Sequence, residues 1–163
     1  MMKTRPHQQG FLLIEGLIAI LIFSLGVLGL VAMGSKAIAA QSDAQYRTSA
    51  AQLADEIAGK IALGVDRSAG GTKIAASLAG FQHLAAGGAC AFGGPASADA
   101  NVIAWVTRAT TTGAGLPGLP GATATSQQIK VVGGAVNEVD ITVCWQAPSD
   151  TAPRQLTLVT YVN

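Results

Sequence analysis

The chain has 163 residues, of which half are hydrophobic and 12% are charged, and its ten Lys and Arg residues nearly balance its nine Asp and Glu residues. This balance excludes a protein that holds nucleic acid mainly through a broad basic surface. Beyond the long N-terminal helix predicted below, about 100 residues remain, which is enough for one small domain with a modest core.

The first predicted element is a helix over residues 11–34 that can span a membrane. Between Phe11 and Met33 the chain has one ionisable residue, Glu15. A helix of about 23 residues is roughly 35 Å long, which is enough to cross a bilayer. A carboxylate costs about 2.5 to 3.5 kcal/mol at the centre of such a helix and less near its end. Glu15 therefore either reaches the lipid headgroups or requires a partner of opposite charge.

A short leader, MMKTRPHQQG (residues 1–10), precedes this run and carries two basic residues and no acid. It ends in Gly10, which is followed by Phe11, three aliphatic residues and Glu15, and this junction resembles the type IV prepilin signal. The resemblance implies that a membrane-embedded prepilin peptidase cuts after Gly10 on the cytoplasmic side and N-methylates Phe11. Loss of the leader would leave eight basic side chains against nine acids.

The same resemblance implies a role for Glu15 and a division of the chain. Cleavage would make Phe11 the new amino terminus, and its ammonium group would pair with Glu15 of a neighbouring subunit when the helices pack in a filament. The expected parts are the leader (1–10), a transmembrane and assembly segment (11–34) and a periplasmic head (35–163). The head would include the second half of the helix.

A secretory signal peptide is the alternative interpretation of the N-terminal region. The segment Ala37-Ile38-Ala39 offers an A-x-A cleavage pattern after a basic and then an apolar stretch. However, the apolar part of a signal peptide is usually about 7 to 15 residues long and rarely carries an acid. The longer run with Glu15 favours an anchor that is retained, and the mass of the mature N-terminus distinguishes the two interpretations.

The helical pattern continues beyond the membrane segment. Residues 36–63 contain no proline, and apolar residues at steps of three and four form a stripe on one helix face, namely Tyr46, Ala50, Leu53, Ile57 and Ile61. The pattern predicts one helix of about 50 residues that ends at Gly64 and covers a globular domain with its second half. Gly26 and Gly29 permit close packing or local unwinding in the first half, although glycine is also common in membrane helices generally.

Two short helices and two loops are predicted after the long helix. Residues 73–85 have helical spacing, and a second helix over 99–108 begins with Asp99 as its N-cap. Residues 86–95 are glycine-rich and residues 111–124 contain two Leu-Pro-Gly repeats, so both segments are predicted to be loops. The second short helix is expected to bury Val102, Ile103, Trp105 and Val106.

The C-terminal part predicts an antiparallel sheet. Residues 128–132, 138–146 and 155–162 read as strands, and Gly133-Gly134 is predicted to be the turn between the first two. The apolar face of such a sheet must be covered, and the helical stripe is the available partner. The expected fold class is α+β, with a long N-terminal helix packed on a C-terminal antiparallel β-sheet, which is also the fold that type IV pilins share.

The two cysteines, Cys90 and Cys144, indicate a disulfide in an exported domain, because an even number of cysteines in a small exported domain is typical of an oxidising compartment. Two unrelated buried thiols are the alternative. A metal site is disfavoured, since the sequence has no C-x-x-C motif and His83 is the only histidine nearby. A bond that closes a loop of about 55 residues stabilises a fold by about 4 kcal/mol in the chain-entropy account.

The sequence offers no motif for catalysis. G-x-S-x-G, Walker A, H-E-x-x-H and G-x-G-x-x-G do not occur in a credible strand-to-helix context. His83 is the only histidine outside the leader, and a surface or satisfied histidine is the usual case. We therefore expect neither enzyme activity nor a cofactor, and we interpret Tyr46, Trp105 and Trp145 as core or interface residues.

The first 63 residues, in particular GFLLIEGLIAILIFSLGVLGL and SDAQYRTSAAQLADEIAGKI, resemble the PilV group of minor type IV pilins. The resemblance implies a structural subunit that contributes to pilus assembly, adhesion or motility. Its implied partners are prepilin peptidase, other pilin subunits and the pilus assembly platform. Before assembly such a protein resides in the inner membrane with a cytoplasmic N-terminus and a periplasmic head, and afterwards in the extracellular fibre or its tip.

Two alternative functions share these features. A minor pseudopilin of a type II secretion system has the same leader, acid and helix. A pilin-like module that captures extracellular DNA would rely on a few available cations, namely Lys73, Arg108, Lys130 and Arg154. The charge balance makes nucleic acid an unexpected partner.

Overall fold

The computed structural model describes residues 9–68, 71–113, 116–132 and 137–163, with the backbone alone at 9–12, 116 and 117. The chain divides after Ser42 into an N-terminal unit and a head that begins at Asp43. The fold class is α+β, as predicted, with one long N-terminal apolar helix and a three-stranded antiparallel sheet. Most of the predicted leader and the predicted Gly133-Gly134 turn lie outside the described residues.

The first helix, α1 (Gln9–Gly64), includes both halves of the predicted helix and ends at the predicted residue. A Cβ atom on Gly64 would lie 2.7 Å from the Phe81 ring, so the absence of a side chain permits this close approach. The last carbonyl groups of a helix lack partners within the helix. Here the Arg67 guanidinium donates a hydrogen bond to the Ala62 carbonyl oxygen at 2.8 Å.

Within the N-terminal unit, every described side chain of the apolar run is exposed. A window of 18 residues in α1 has a mean hydropathy of 2.6, and no part of that window is buried. Among the described residues, α1 is the one helix that is long and apolar enough to span a membrane. A helix that is apolar on all sides is typical of a segment that contacts lipid or other helices.

The second helix, α2 (Gly71–Phe81), is shorter than the helix predicted over residues 73–85. It stops because His83 exchanges two backbone hydrogen bonds with Ile129 of the sheet, at 2.9 and 3.0 Å. These bonds require an extended backbone at His83, which is incompatible with another helical turn. The end of α2 is therefore set by a contact that is distant in sequence.

The glycine-rich segment 86–95, predicted to be a loop, forms a small hairpin of β1 (Ala86–Gly88) and β2 (Ala91–Gly93). Its turn contains Ala89 and Cys90, whose φ angles are 50° and 64°. The prediction missed both strands because short runs of alanine and glycine carry no alternating apolar pattern.

The third helix, α3 (Ala100–Thr110), has Asp99 as its N-cap, as predicted. One carboxylate oxygen of Asp99 accepts hydrogen bonds from the backbone N–H groups of Asn101 at 2.8 Å and Val102 at 3.2 Å. The prediction that Ile103 is buried is wrong, because its side chain is 52% exposed. Successive helical residues differ in direction by about 100°, so Ile103 lies outside the buried face, which consists of Val102, Trp105 and Ala109.

The connector 111–124, predicted to be a loop, contains the short antiparallel pair β3 (Thr112–Gly113) and β4 (Leu116–Pro117). A Cβ atom on Gly118 would lie 2.2 Å from the Thr111 carbonyl oxygen, so the backbone passes itself closely here. The remainder of the connector has no strand among its described residues and ends in a turn of 3-10 helix at 124–126.

The C-terminal sheet consists of β5 (Gln127–Val132), β6 (Glu138–Trp145) and β7 (Arg154–Tyr161). Its strand order is β5-β6-β7 and both pairings are antiparallel, which confirms the predicted meander. The strand ends differ from the prediction by at most one residue. Alternating apolar and polar residues located these strands correctly because one face of the sheet is buried.

The core of the head lies between α1 and one face of this sheet. The predicted stripe of α1 is buried, except for Tyr46, which is half-buried. The sheet contributes fully buried side chains to the same cluster, namely Ile129, Val139, Ile141 and Val143. All buried residues among those described lie between Ala50 and Val162, so the head contains its entire core without the N-terminal unit.

Candidate functional site

The N-terminal unit contains the residues that the sequence singles out for processing and assembly. Gly10 and Phe11 lie in the first turns of α1, and Glu15 lies one turn after Phe11. The Glu15 side chain is exposed among apolar neighbours such as Leu17 and Ile18. Helical side chains lean towards the N-terminal end of their helix, so the Glu15 carboxylate is directed towards the turn that contains Phe11.

Glu15 is the one described charge of the apolar run, and it takes part in none of the ion pairs found among the described residues. The hydroxyl groups of this region, by contrast, have partners inside the helix. Ser24 donates to the Ile20 carbonyl oxygen at 2.8 Å, and Ser35 donates to the Val31 carbonyl oxygen at 3.2 Å. The polar group that a lipid environment would leave without a partner is therefore the Glu15 carboxylate.

Four glycines of the N-terminal unit have open space around them. A Cβ atom added at Gly16, Gly26, Gly29 or Gly34 would meet nothing within 4 Å. No contact among the described residues therefore requires glycine at these positions. Small residues in apolar helices allow the backbones of two helices to approach closely.

The head is closed by a disulfide between Cys90 and Cys144, with an S–S distance of 2.09 Å and a Cα–Cα distance of 5.8 Å. This finding confirms the predicted bond and excludes the alternative of two unrelated thiols. Cys90 lies in the β1–β2 turn and Cys144 is fully buried near the end of β6. The bond therefore ties the hairpin, which has little apolar surface of its own, to the central strand of the sheet.

His83 is a buried titratable residue of the head; its Nδ1 has a hydrogen-bond partner, whereas its Nε2 is buried with none among the described residues. Its Nδ1 accepts a hydrogen bond from the Ser97 backbone N–H at 3.1 Å, whereas the Ser97 hydroxyl donates to the Gly80 carbonyl oxygen at 2.7 Å. Burial lowers the pKa of His83, and the Ala124 carbonyl raises that pKa by a smaller amount. Because the serine hydroxyl does not contact the imidazole, these two residues do not form a nucleophile–base pair.

Two charge clusters join α1 to the rest of the head. Arg154 donates to both carboxylate oxygens of Asp150 at 2.8 Å and also pairs with Asp43 at the start of the head. Hydrogen bonding to Arg154 lowers the pKa of Asp150. Arg108 of α3 pairs with Glu56 of α1 at 2.8 Å.

Sequence reasoning missed these ion-pair partners. Asp150 and Arg154 are four residues apart, and this spacing could have suggested an ion pair. Asp43 and Arg154 are 111 residues apart, and no pattern in the sequence indicates that they meet. Of the four cations considered for DNA binding, Arg108 and Arg154 are thus engaged by acids. Lys73 and Lys130 are in no ion pair among the described residues.

The described part of the chain holds no group of three or more His, Cys, Asp or Glu side chains arranged to bind a metal. A cavity of about 200 Å³ lies beside the disulfide and is lined by uncharged residues that include Thr123, Trp145 and Gln146. The Trp145 Nε1 is buried and has no hydrogen-bond partner among the described residues. This cavity is smaller than most ligand pockets, which measure about 300 to 1,000 Å³.

The fold and the candidate site define an α+β protein with one N-terminal helix long and apolar enough to span a membrane and a disulfide-bonded head. No family model, no curated protein and no solved structure matches this chain.

Proposed function

We propose that this chain is a minor type IV pilin that is cleaved after Gly10, N-methylated at Phe11 and built into a pilus or its initiating tip through α1. The observation that carries the proposal is Glu15, a single exposed carboxylate in an apolar helix, one turn after Phe11 and without an ion-pair partner among the described residues. The function is structural and requires no catalysis.

The chemistry of the cleaved junction supplies the missing partner. Hydrolysis of the bond after Gly10 creates an ammonium group on Phe11, and this cation lies at the depth of Glu15 when two such helices pack side by side. Each charge is costly alone in an apolar environment, whereas a pair with good geometry offsets much of that cost. The pairing sets the axial register of neighbouring subunits, and the open space around Gly16 and Gly26 lets their helices approach.

The proposed location follows from the same features. The basic leader favours a cytoplasmic N-terminus by the positive-inside rule, and the apolar run of α1 serves as the anchor in the inner membrane. The head would then fold in the periplasm, where a bond such as Cys90–Cys144 forms and persists. The partners would be prepilin peptidase, other pilin subunits and the assembly platform, and the subunit would end in the extracellular fibre or at its tip.

The decisive test replaces Glu15 in the host strain. We expect Glu15→Ala and Glu15→Gln to be processed normally, because the scissile bond is unchanged, but to enter sheared pili at least about tenfold less than the wild type, because the buried ammonium loses its partner. The mass of the N-terminus reports processing and quantitative immunoblotting of pili reports incorporation. Asp55→Asn, an acid-to-amide change at an exposed position of the head that is in no ion pair among the described residues, is the control and should be incorporated normally.

The same experiment distinguishes the alternatives. Normal incorporation of Glu15→Ala would contradict the proposal. A loss of protein secretion with intact pili would instead indicate a minor pseudopilin of a type II secretion system. The ion pairs of Arg108 and Arg154 lower the positive potential available for DNA, so we do not expect salt-sensitive DNA binding.

A further inference from the structure

The two edges of the C-terminal sheet differ in how they are covered. At one edge, Ile129 of β5 exchanges two backbone hydrogen bonds with His83, donating one and accepting the other. At the other edge, β7 pairs with β6 on one side, and no other described strand pairs with its second side. An uncovered edge presents a row of backbone N–H and C=O groups that can accept another strand.

The apolar core is also incomplete at this edge. The core-facing side chains of the central strand, Val139, Ile141 and Val143, are fully buried. The residues beside them on β7, Leu156 and Leu158, are only half-buried. A further strand next to β7 would cover these two leucines in the way that β7 covers the central strand.

The edge lacks the usual protection against pairing. Natural proteins blunt open edges with charged residues, proline or bulges. Pro153 and Arg154 lie at the start of β7, where Arg154 is held by Asp150 and Asp43, but residues 155–161 contain neither a charged residue nor proline. The eight residues of β7 pair with β6 in unbroken register. A long, regular and unprotected edge strand indicates that the edge is occupied in the functional state.

The outer face of the sheet beside this edge carries two carboxylates on β6 and one cation on β5, Lys130, which lies opposite Asp140. Glu138 and Asp140 of β6 lie opposite Tyr161 and Val159 of β7, which are 57% and 47% exposed. Neither carboxylate is in an ion pair among the described residues, and the Asp140 Oδ1 is buried without a hydrogen-bond partner there. The pKa of Tyr161 is raised by its hydrogen bond to Glu138 and by the negative charges of Glu138 and Asp140.

We propose that the β7 edge is a docking site for an extended segment of a partner protein, which adds a fourth strand to the sheet. Its core-side residues would be apolar and would cover Leu156 and Leu158. Its outer residues would be Lys or Arg, whose long side chains can extend across β7 towards Glu138 and Asp140, about two strand spacings or roughly 10 Å away. A second copy of β7 does not fit this face, because the side chains on its outer face carry no positive charge. These side chains are Gln155, Thr157, Val159 and Tyr161.

The test uses the oxidised full chain in detergent micelles and fluorescent peptides as probes. A peptide of alternating valine and lysine, about nine residues long to match an edge strand, should bind saturably in a fluorescence anisotropy titration. The same peptide with glutamate in place of lysine should bind at least about tenfold more weakly. Methylation of the alternate backbone nitrogens that face β7 should abolish binding, because the peptide can no longer donate to the edge.

Variants of the chain locate the binding. Glu138→Gln combined with Asp140→Asn should weaken the lysine peptide by about threefold or more, and Val159→Lys should weaken it similarly through repulsion. Val159→Thr keeps a β-branched, neutral side chain at the same exposed position and should bind as the wild type does. Circular dichroism confirms that each variant is folded.

Three results would overturn the proposal: equal binding of the N-methylated peptide, equal binding of the acidic peptide, or a dimer of the chain in sedimentation that Val159→Lys abolishes, which would make a second copy the occupant. The assay involves no filament, so its outcome is independent of the proposed pilin function.

Discussion

His83 shows how a single polar residue is accommodated in the interior of this small head. Its Nδ1 has a donor in the Ser97 backbone N–H, and its own backbone covers part of the β5 edge through Ile129. The neutral imidazole fits this environment, whereas a protonated ring would lose the acceptor at Nδ1 and carry a buried charge. Burial accordingly lowers the pKa of His83 below its ordinary value of 6.5.

This shift predicts a pH dependence of stability. The unfolded chain binds a proton near pH 6.5 before the folded chain does, so the free energy of unfolding is highest above that pH and falls as the pH drops towards the folded-state pKa, by up to about 1.4 kcal/mol per pH unit. His83→Asn keeps an acceptor near the position of Nδ1 but does not titrate. Urea unfolding across this range should therefore show a flatter pH profile for His83→Asn than for the wild type, and parallel profiles would contradict the assignment.

At the scale of secondary-structure elements, α3 is attached to α1 by one buried anchor and one surface ion pair. The Trp105 indole N–H donates to the Leu53 carbonyl oxygen of α1 at 2.9 Å, and the ring is 1% exposed. The Arg108–Glu56 pair lies at the surface of the same junction. Buried aromatic side chains contribute far more to stability than exposed ion pairs do, so Trp105 is the main attachment.

Substitutions at this junction should separate the two contributions. We expect Trp105→Ala to lower the free energy of unfolding by about 3 to 5 kcal/mol, through lost burial, a cavity and a lost hydrogen bond. Arg108→Ala, which lies one turn further along α3, serves as the control and should cost less than about 1 kcal/mol. Chemical denaturation of the oxidised protein measures both values, and a Trp105→Ala cost as small as that of Arg108→Ala would contradict the assigned roles.

At the scale of the whole molecule, the head combines a modest core with one covalent link. All buried residues among those described lie in the head, whereas the described apolar side chains of residues 13–33 are exposed. The Cys90–Cys144 bond closes a segment of 54 residues that includes α3, the connector and two of the three sheet strands. The hairpin at one end of that segment has little core of its own and depends on the link.

Removal of the disulfide should therefore destabilise the entire head. The double substitution Cys90→Ala and Cys144→Ala is expected to lower the free energy of unfolding by about 4 kcal/mol, the value expected for a loop of this length. Urea unfolding followed by tryptophan fluorescence measures the change, and reduction of the wild type with dithiothreitol should reproduce it. An unchanged urea midpoint after both treatments would show that the bond does not stabilise the head.

Local patterns account for the elements that the sequence predicted well. The end of α1 at Gly64, the N-cap Asp99 and the three sheet strands follow from capping chemistry and from periods of 3.6 and 2.0 residues. The predictions failed where a distant contact prevailed. His83 ends α2 early by pairing with Ile129, and the hairpin at Cys90 forms strands from residues without an apolar pattern.

The sequence by itself determined the long apolar helix and the position of Glu15 within it, because these depend on composition and on spacing along one chain. Only the tertiary structure decided that Arg154 meets Asp43, that Ile103 faces outwards, and that β5 is covered whereas β7 is open beside Glu138 and Asp140. Such features depend on which segments, far apart in the chain, come to lie side by side, and no local pattern encodes that choice.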